Sequence, residues 1–141
     1  EQRQQRDTIL ATRIEREGVA AFVDDWEQLP LFASQRNLPP ETRVALRRQR
    51  LSTSAIGLAN SLRGVGTGAQ PALHEQLSSL TLPTLLLAGE LDSKFCQIAR
   101  QMAARMPRAS LQIVRGAGHT IHLEQPAAFA QLIHEFCSMV S

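Results

Sequence analysis

Two side chains in this sequence have the types and surroundings for proton-transfer chemistry: Asp92 and His119. Asp92 follows the apolar run Thr84–Ala88, which ends at Gly89 and enters an acidic turn. His119 follows a second run, Leu111 to Arg115, at the tip of Gly-Ala-Gly-His. A histidine exposed in such a loop can act as a general base, with its tautomer fixed by a carboxylate. Carboxylate then imidazole is also the tail of a Ser…Asp…His chain order. A turn aspartate or a loop histidine alone is most often a solvated residue. The pair gains weight because each lies just past the C-terminal end of an expected strand, where open parallel sheets place their chemistry.

Other candidates remain beside them. Glu90 is the alternative carboxylate; Asp92 is favoured because it directly precedes Ser93, the expected cap of the next helix. His122 is the competing imidazole. A His-x-x-His pair suggests metal, but no further Cys/His cluster supports it, and a structural role is favoured. His74 and His134 fall on expected helices as surface or packing residues. A serine nucleophile requires Gly-x-Ser-x-Gly on a strand-to-helix elbow, and no such pattern occurs in the sequence. Ser52, Ser54 and Ser61 lie in helical sequence. Gly64, Gly66 and Gly68 lack the preceding strand and following Gly-Lys-Ser/Thr of a phosphate loop, so a flexible lid loop is the better reading.

The elements that must position the pair follow from periodicity. Before residue 83 the pattern is helical throughout. Helix formers run from Glu1 to Arg16, Gly18 breaks them, and Val19, Phe22, Val23 and Trp26 continue a single face. Leu29-Pro30 ends that helix. Leu31–Leu38 reads as a linker turn. Pro39-Pro40 and Glu41 open the next helix, to about Arg50. Ser52 or Thr53 caps another, through Leu62. A short helix, Ala72–Leu80, precedes the first strand. After Asp92, a helix capped by Ser93 runs to Met106 with Phe95, Ile98, Ala99, Met102 and Ala103 inward. Pro126 opens the last helix, with Phe129, Leu132, Ile133, Phe136 and Val140 inward. The reading is α/β: a helical region over 1–80, then strand–helix–strand–helix over 81–141, a right-handed parallel unit. Two parallel strands do not make a sheet buried on both faces, and the abrupt start at Glu1 has neither Met nor cap. The expectation is a piece of a longer protein, or copies that pair or swap through the open sheet edge.

Composition narrows the partners. The sequence has 141 residues, 43% of them hydrophobic, which is globular. A net charge of +2, from 15 basic and 13 acidic residues, gives no nucleic-acid-scale excess. All the basic residues except Lys94 are arginine, whose planar fork suits carboxylates. Arg47, Arg48 and Arg50 on one helix are most simply a solvated face, and Trp26 a core residue. Cys96 and Cys137 lack metal spacing and read as buried free thiols. No apolar run approaches membrane-spanning length, and no signal peptide opens the sequence. A cytoplasmic protein is the default.

Asp92 in GELDSKF, His119 in GAGHTIHLEQP, and the helical segment FVDDWEQLPLFAS resemble the 2-succinyl-6-hydroxy-2,4-cyclohexadiene-1-carboxylate synthases of menaquinone biosynthesis, enzymes of α/β-hydrolase fold. VALR around Arg47 and the loop SLRGVGTGAQP fit as well. The similarity covers nearly the whole sequence but only the C-terminal half or so of the family's length. It implies cap helices plus the C-terminal part of that fold. It implies Asp92 and His119 as members of a catalytic triad, and Arg6, Trp26 and Arg47 as substrate contacts. The implied reaction is elimination of pyruvate from a substrate bearing several carboxylates, with no metal or organic cofactor. The family's serine and oxyanion-hole segment precede Glu1. Two alternatives stay open: another α/β-hydrolase-fold enzyme of esterase type, and a non-catalytic helical binding module.

Overall fold

The computed structural model describes residues 2–140. The chain forms two compact units, one of Glu1–Leu29 with Pro39–Ala72, the other of Pro30–Leu38 with Leu73–Ser141. The division is therefore interleaved, not a single cut after residue 80, because Pro30–Leu38 joins the strand-containing unit.

The helical unit is built from α1 (Gln2–Glu27), α2 (Pro40–Leu51) and α3 (Ala55–Val65). Gly18 kinks α1 with φ 85° and ψ 170°, so the expected break is present. The buried residues of the first arm are Asp7, Ala11 and Ile14, one face at helical spacing. Helix α3 packs on α1. Fully buried alanines, Ala11 and Ala59, lie on these two helices, where small side chains allow close approach. Arg63 donates two hydrogen bonds across the pair to Glu15, at 2.6 and 2.7 Å. The cap of α3 is Ser54, whose hydroxyl accepts from Gly57 N, and not Ser52 or Thr53. The glycine loop that follows is no free lid. The Gly68 amide donates to buried Asp7 at 3.2 Å, and a side chain at Gly68 would strike the Gln4 backbone.

The second unit holds a two-stranded parallel sheet of β1 (Thr84–Gly89) and β2 (Ala109–Val114), paired from Thr84↔Ala109 to Gly89↔Val114. Its helices are α4 (Ser93–Ala103), α5 (Ile121–Glu124) and α6 (Pro126–Val140). Two 3-10 helices complete it: Pro30–Asn37, expected as a turn, and His74–Ser79, expected as a regular helix. The strands alternate between two apolar clusters, as period-two side chains must. Ala88, Leu111 and Ile113 pack with Cys96 and Ala99 of α4. Leu87 and Val114 pack with Ala117, Ile121, Phe129 and Leu132. The sheet thus carries helices on both faces, even with two strands.

Three burial expectations fail. Cys96 is buried, but Cys137 is exposed. On α6, Ile133 and Val140 are exposed, while Phe136 is half-buried and Ala128, Phe129 and Leu132 do the packing. Phe95 is partly exposed, and Cys96 takes its place facing the sheet. In each case the apolar stripe is narrower than the apolar composition of the helix, because a helix buries only the face that meets another element. Among the described residues no helix is long and apolar enough to cross a membrane.

Gly18 supplies the first prediction. Its backbone lies in a region open essentially to glycine alone, and a Cβ there would meet no atom within 4 Å. The penalty of G18A is therefore conformational, on the order of 1–3 kcal/mol. Urea unfolding should show a lowered midpoint with unchanged slope; an unaltered or raised midpoint contradicts this account of the kink.

Candidate active site

The end of β1 turns sharply and delivers Asp92. The Asp92 amide donates to Gly89 O at 3.0 Å, closing the turn. The side chain is 5% exposed and has two partners. Oδ1 accepts from Phe95 N at 3.2 Å, which makes Asp92, not Ser93, the N-cap of α4. Oδ2 meets His119 Nδ1 at 2.7 Å. A buried carboxylate needs such partners to offset lost hydration, and the positive end of α4 favours its charge further. The Cys96 thiol donates to Gly89 O at 3.1 Å and pins the strand end from within the helix.

Glu90, the alternative carboxylate, does something else. Its Oε2 accepts from Gly116 N at 2.9 Å and so steadies the loop that carries the histidine. Leu91 N donates to Ala117 O at 2.9 Å in the same sense. Gly116 has φ 69°, a left-handed conformation that suits glycine. Gly89 lies so close to the Ala117 and Gly118 carbonyls that it has no room for a side chain, and Gly118 is crowded in turn by Ser34.

The His119 ring stands edge-on to Phe95 and Phe32, with centroids 4.7 and 5.8 Å away. Lys94 Nζ lies 5.6 Å from the Phe95 ring centre, on the face of a ring that itself borders the histidine. The His119 side chain is 30% exposed. When Nδ1 carries the proton donated to Asp92, Nε2 keeps its lone pair and can accept a proton. That arrangement is a carboxylate-oriented general base.

Several residues that hold this loop escape sequence reasoning. Gln35 Nε2 donates to Thr120 Oγ1 at 3.0 Å. Glu124 accepts from Gly118 N at 2.7 Å, from Thr120 N at 3.1 Å and from Thr120 Oγ1 at 2.8 Å. The Thr120-to-Glu124 spacing is one residue longer than a Ser/Thr-x-x-Glu capping box, which is why the motif does not flag it. The other histidines stay apart from this chemistry. His122 is exposed and edge-on to Phe129, with ring centroids 6.0 Å apart, and His74 and His134 are exposed. Among the described residues no group of three or more His, Cys, Asp or Glu side chains could hold a metal ion.

Arg6, Trp26 and Arg47 all belong to the helical unit. Arg6 is exposed on the first arm of α1. Trp26 is half-buried rather than core, its ring tilted 35° against Phe22 at 5.3 Å. With Leu10, Ile14, Phe22 and Leu29 it lines an apolar pocket of about 160 Å³ at the α1 kink. Arg47 is a paired cation on a half-exposed face: it meets Asp24 at 2.5 Å and Glu27 at 2.6 Å, while Arg50 also reaches Glu27 at 3.0 Å.

Glu124 gives the site a pH dependence. Burial pushes its carboxyl up, but hydrogen bonds from Gly118 N, the Ser34 hydroxyl and Thr120 outweigh that and hold it below the ordinary glutamate value. A carboxyl depressed by folding contributes stability above its unfolded value of about 4.3, and that contribution is lost as pH falls through the folded value. E124Q should therefore be less stable than wild type at pH 6, with the gap narrowing below about pH 4. Urea midpoints across that range check this, and a gap independent of pH would refute it.

Comparison with known proteins supports the same picture. A Bacillus subtilis (strain 168) protein, provisionally named as 2-succinyl-6-hydroxy-2,4-cyclohexadiene-1-carboxylate synthase, is 44% identical over 135 residues, covering 96% of this chain and 49% of that protein. The synthase of that name from Serratia proteamaculans (strain 568) is 39% identical over 130 residues, covering 92% of this chain and 48% of its own length. Among solved structures, MenH from S. aureus matches with a TM-score of 0.96 at 42% identity, over 98% of this chain and 52% of that one. A thermophilic esterase from Thermogutta terrifontis, solved with malate bound, matches with a TM-score of 0.84 at 27% identity, over 99% of this chain and 51% of that one. The chain thus spans about half the length of the curated relatives it matches. Residues 4–132 match the family described as alpha/beta hydrolase, and the chain belongs to that family.

Proposed function

We propose that this chain supplies the Asp–His pair and the anion-recognising cap of a carbon–oxygen lyase acting in menaquinone biosynthesis. The enzyme eliminates pyruvate from a cyclohexene intermediate carrying several carboxylates, as the family resemblance implies; the relatives are named as synthases of a succinyl-substituted cyclohexadiene carboxylate. The observation that carries the reading is the 2.7 Å bond between Asp92 Oδ2 and His119 Nδ1 just past the ends of two adjacent parallel strands. His119 is the base of a catalytic triad; its Nε2 activates a serine that assists removal of a substrate proton. Asp92 holds the imidazole in the tautomer this requires and stabilises the imidazolium that forms. Arg6 and Arg47 bind substrate carboxylates, and Trp26 offers an apolar face. Guanidinium and carboxylate match as bidentate partners. For Arg47 this means exchanging Asp24 and Glu27 for substrate. The setting is cytoplasmic, and the open edges of the sheet suit pairing with a further strand or a second copy.

A serine hydrolase of esterase type is the second reading, favoured by the likeness to the Thermogutta esterase. Arginine substitutions separate the two. In a full-length enzyme containing these residues, H119A should lower kcat/KM for pyruvate release on the order of 10²–10⁴-fold. R6A or R47A should each lower it roughly 10–100-fold, the scale of one lost charge-assisted contact. An esterase on neutral substrates would be nearly indifferent to both arginine changes. Pyruvate release unaffected by H119A would remove the lyase reading.

The 141 residues contain no Gly-x-Ser-x-Gly sequence. The chain taken alone should release no pyruvate in a coupled assay. Turnover that disappears with H119A would show that it needs no added serine.

A further inference from the structure

The loop that presents His119 has two glycines in four residues, Gly116 and Gly118, and such a segment is intrinsically loose. A base held within hydrogen-bond reach of Asp92 requires something to remove that freedom. The acceptors of a single carboxylate meet the donors on both sides of the histidine. Glu124 Oε2 takes the Gly118 amide at 2.7 Å, while Oε1 takes the Thr120 amide at 3.1 Å and the Thr120 hydroxyl at 2.8 Å. The peptide joining His119 to Thr120 is thereby fixed directly, and the one preceding Gly118 is fixed as well. These two planes determine where the His119 Cα–Cβ bond points.

We propose that Glu124 is a positioning residue for His119: its carboxylate clamps Gly118 and Thr120, aiming Nδ1 at Asp92 and leaving Nε2 for proton transfer. The role in proton transfer rests on the function proposed above; the clamp itself does not. The Pro30–Asn37 segment adds to the clamp through Gln35 on Thr120 and Phe32 against the ring. All the groups that meet Glu124 are donors, so a carboxylate fits and an amide does not. In E124Q one side-chain oxygen would remain an acceptor, while the NH₂ group would face an N–H or O–H donor. The change nearly conserves volume, which makes it a test of the hydrogen bonds and not of packing.

The test is proton and nitrogen NMR of the His119 ring in the full chain, reading the Nδ1–H resonance of the Asp92 bond. In folded E124Q that resonance should move or broaden, with solvent exchange on the order of tenfold faster. Thr120→Val removes one donor from the clamp and should produce a smaller change of the same sign. A wild-type shift and exchange rate in folded E124Q, even with a lowered melting temperature, would show that Glu124 serves stability alone and overturn the proposal. Should E124Q fail to fold, Thr120→Val decides: an unaltered resonance overturns the clamp, and an altered one supports it. Neither readout is turnover, so pyruvate release unaffected by H119A in a full-length enzyme would reject the lyase reading while leaving this result standing.

Discussion

A carboxylate taken out of water must be satisfied by something else, and the loops past the two strand ends are arranged around that demand. Asp92 is buried, so its two oxygens need donors. One finds the first turn of α4 and the other finds an imidazole. Starting a helix and holding an imidazole are therefore tasks of one side chain. The coupling runs both ways. A helix beginning one residue later would turn Oδ1 away from Phe95 N, and a histidine displaced by an ångström would leave Oδ2 without its partner. The geometry persists because no single element can relax without stranding a buried charge, which costs several kcal/mol.

Register supplies the rest of the placement. Gly89 pairs with Val114 at the last rung of the ladder, so both strands release their loops at the same edge. From there the distances are short: Asp92 lies three residues beyond β1, and His119 five beyond β2. Backbone bonds then knit the loops together, Glu90 N to Val114 O and Leu91 N to Ala117 O, both 2.9 Å. Such contact needs a strand end without a side chain. Gly89 is that end, and even a methyl group there would collide with the facing carbonyls. The glycines of Gly-Ala-Gly-His permit the approach, and the acidic residues Glu90 and Glu124 on either side limit the looseness they introduce.

What was legible in the sequence divides along the same physical line. Both strands, their parallel sense and the Asp–His pairing follow from apolar runs that end in glycine and a polar residue, since local pattern and local chemistry agree there. The break at Gly18 is legible for a similar reason. Resemblance to a known family adds the identity of the fold, which periodicity alone does not reach. The supports of the site are illegible because they are tertiary. Ser34 and Gln35 lie far along the chain from Glu124 and Thr120, in a segment whose composition suggests only a turn. Arg47 looks like one member of a solvated arginine face until Asp24 and Glu27 are seen beside it. Burial at Ile133 and Val140 of α6 fails for another reason: an apolar helix reads as inward on every apolar position, whereas the packed stripe runs through Ala128, Phe129 and Leu132.

The pairing of Arg47 bears on how an anion would be recognised. With Asp24 and Glu27 in place its charge is already balanced, and a positive field aimed at a substrate looks compromised. The magnitudes argue otherwise. The Arg47 and Asp24 side chains are 41% and 61% exposed, and exposed pairs of this kind contribute little because water screens them. A substrate carboxylate that meets the same guanidinium with less water around it would form a charge-assisted, two-pronged contact roughly twice as strong as a neutral one. Exchange of partners would thus be inexpensive, and the acidic pair meanwhile occupies both terminal nitrogens of the guanidinium. Under the proposed function, Asp24 and Glu27 would not compete with an anionic ligand so much as hold Arg47 in place for one.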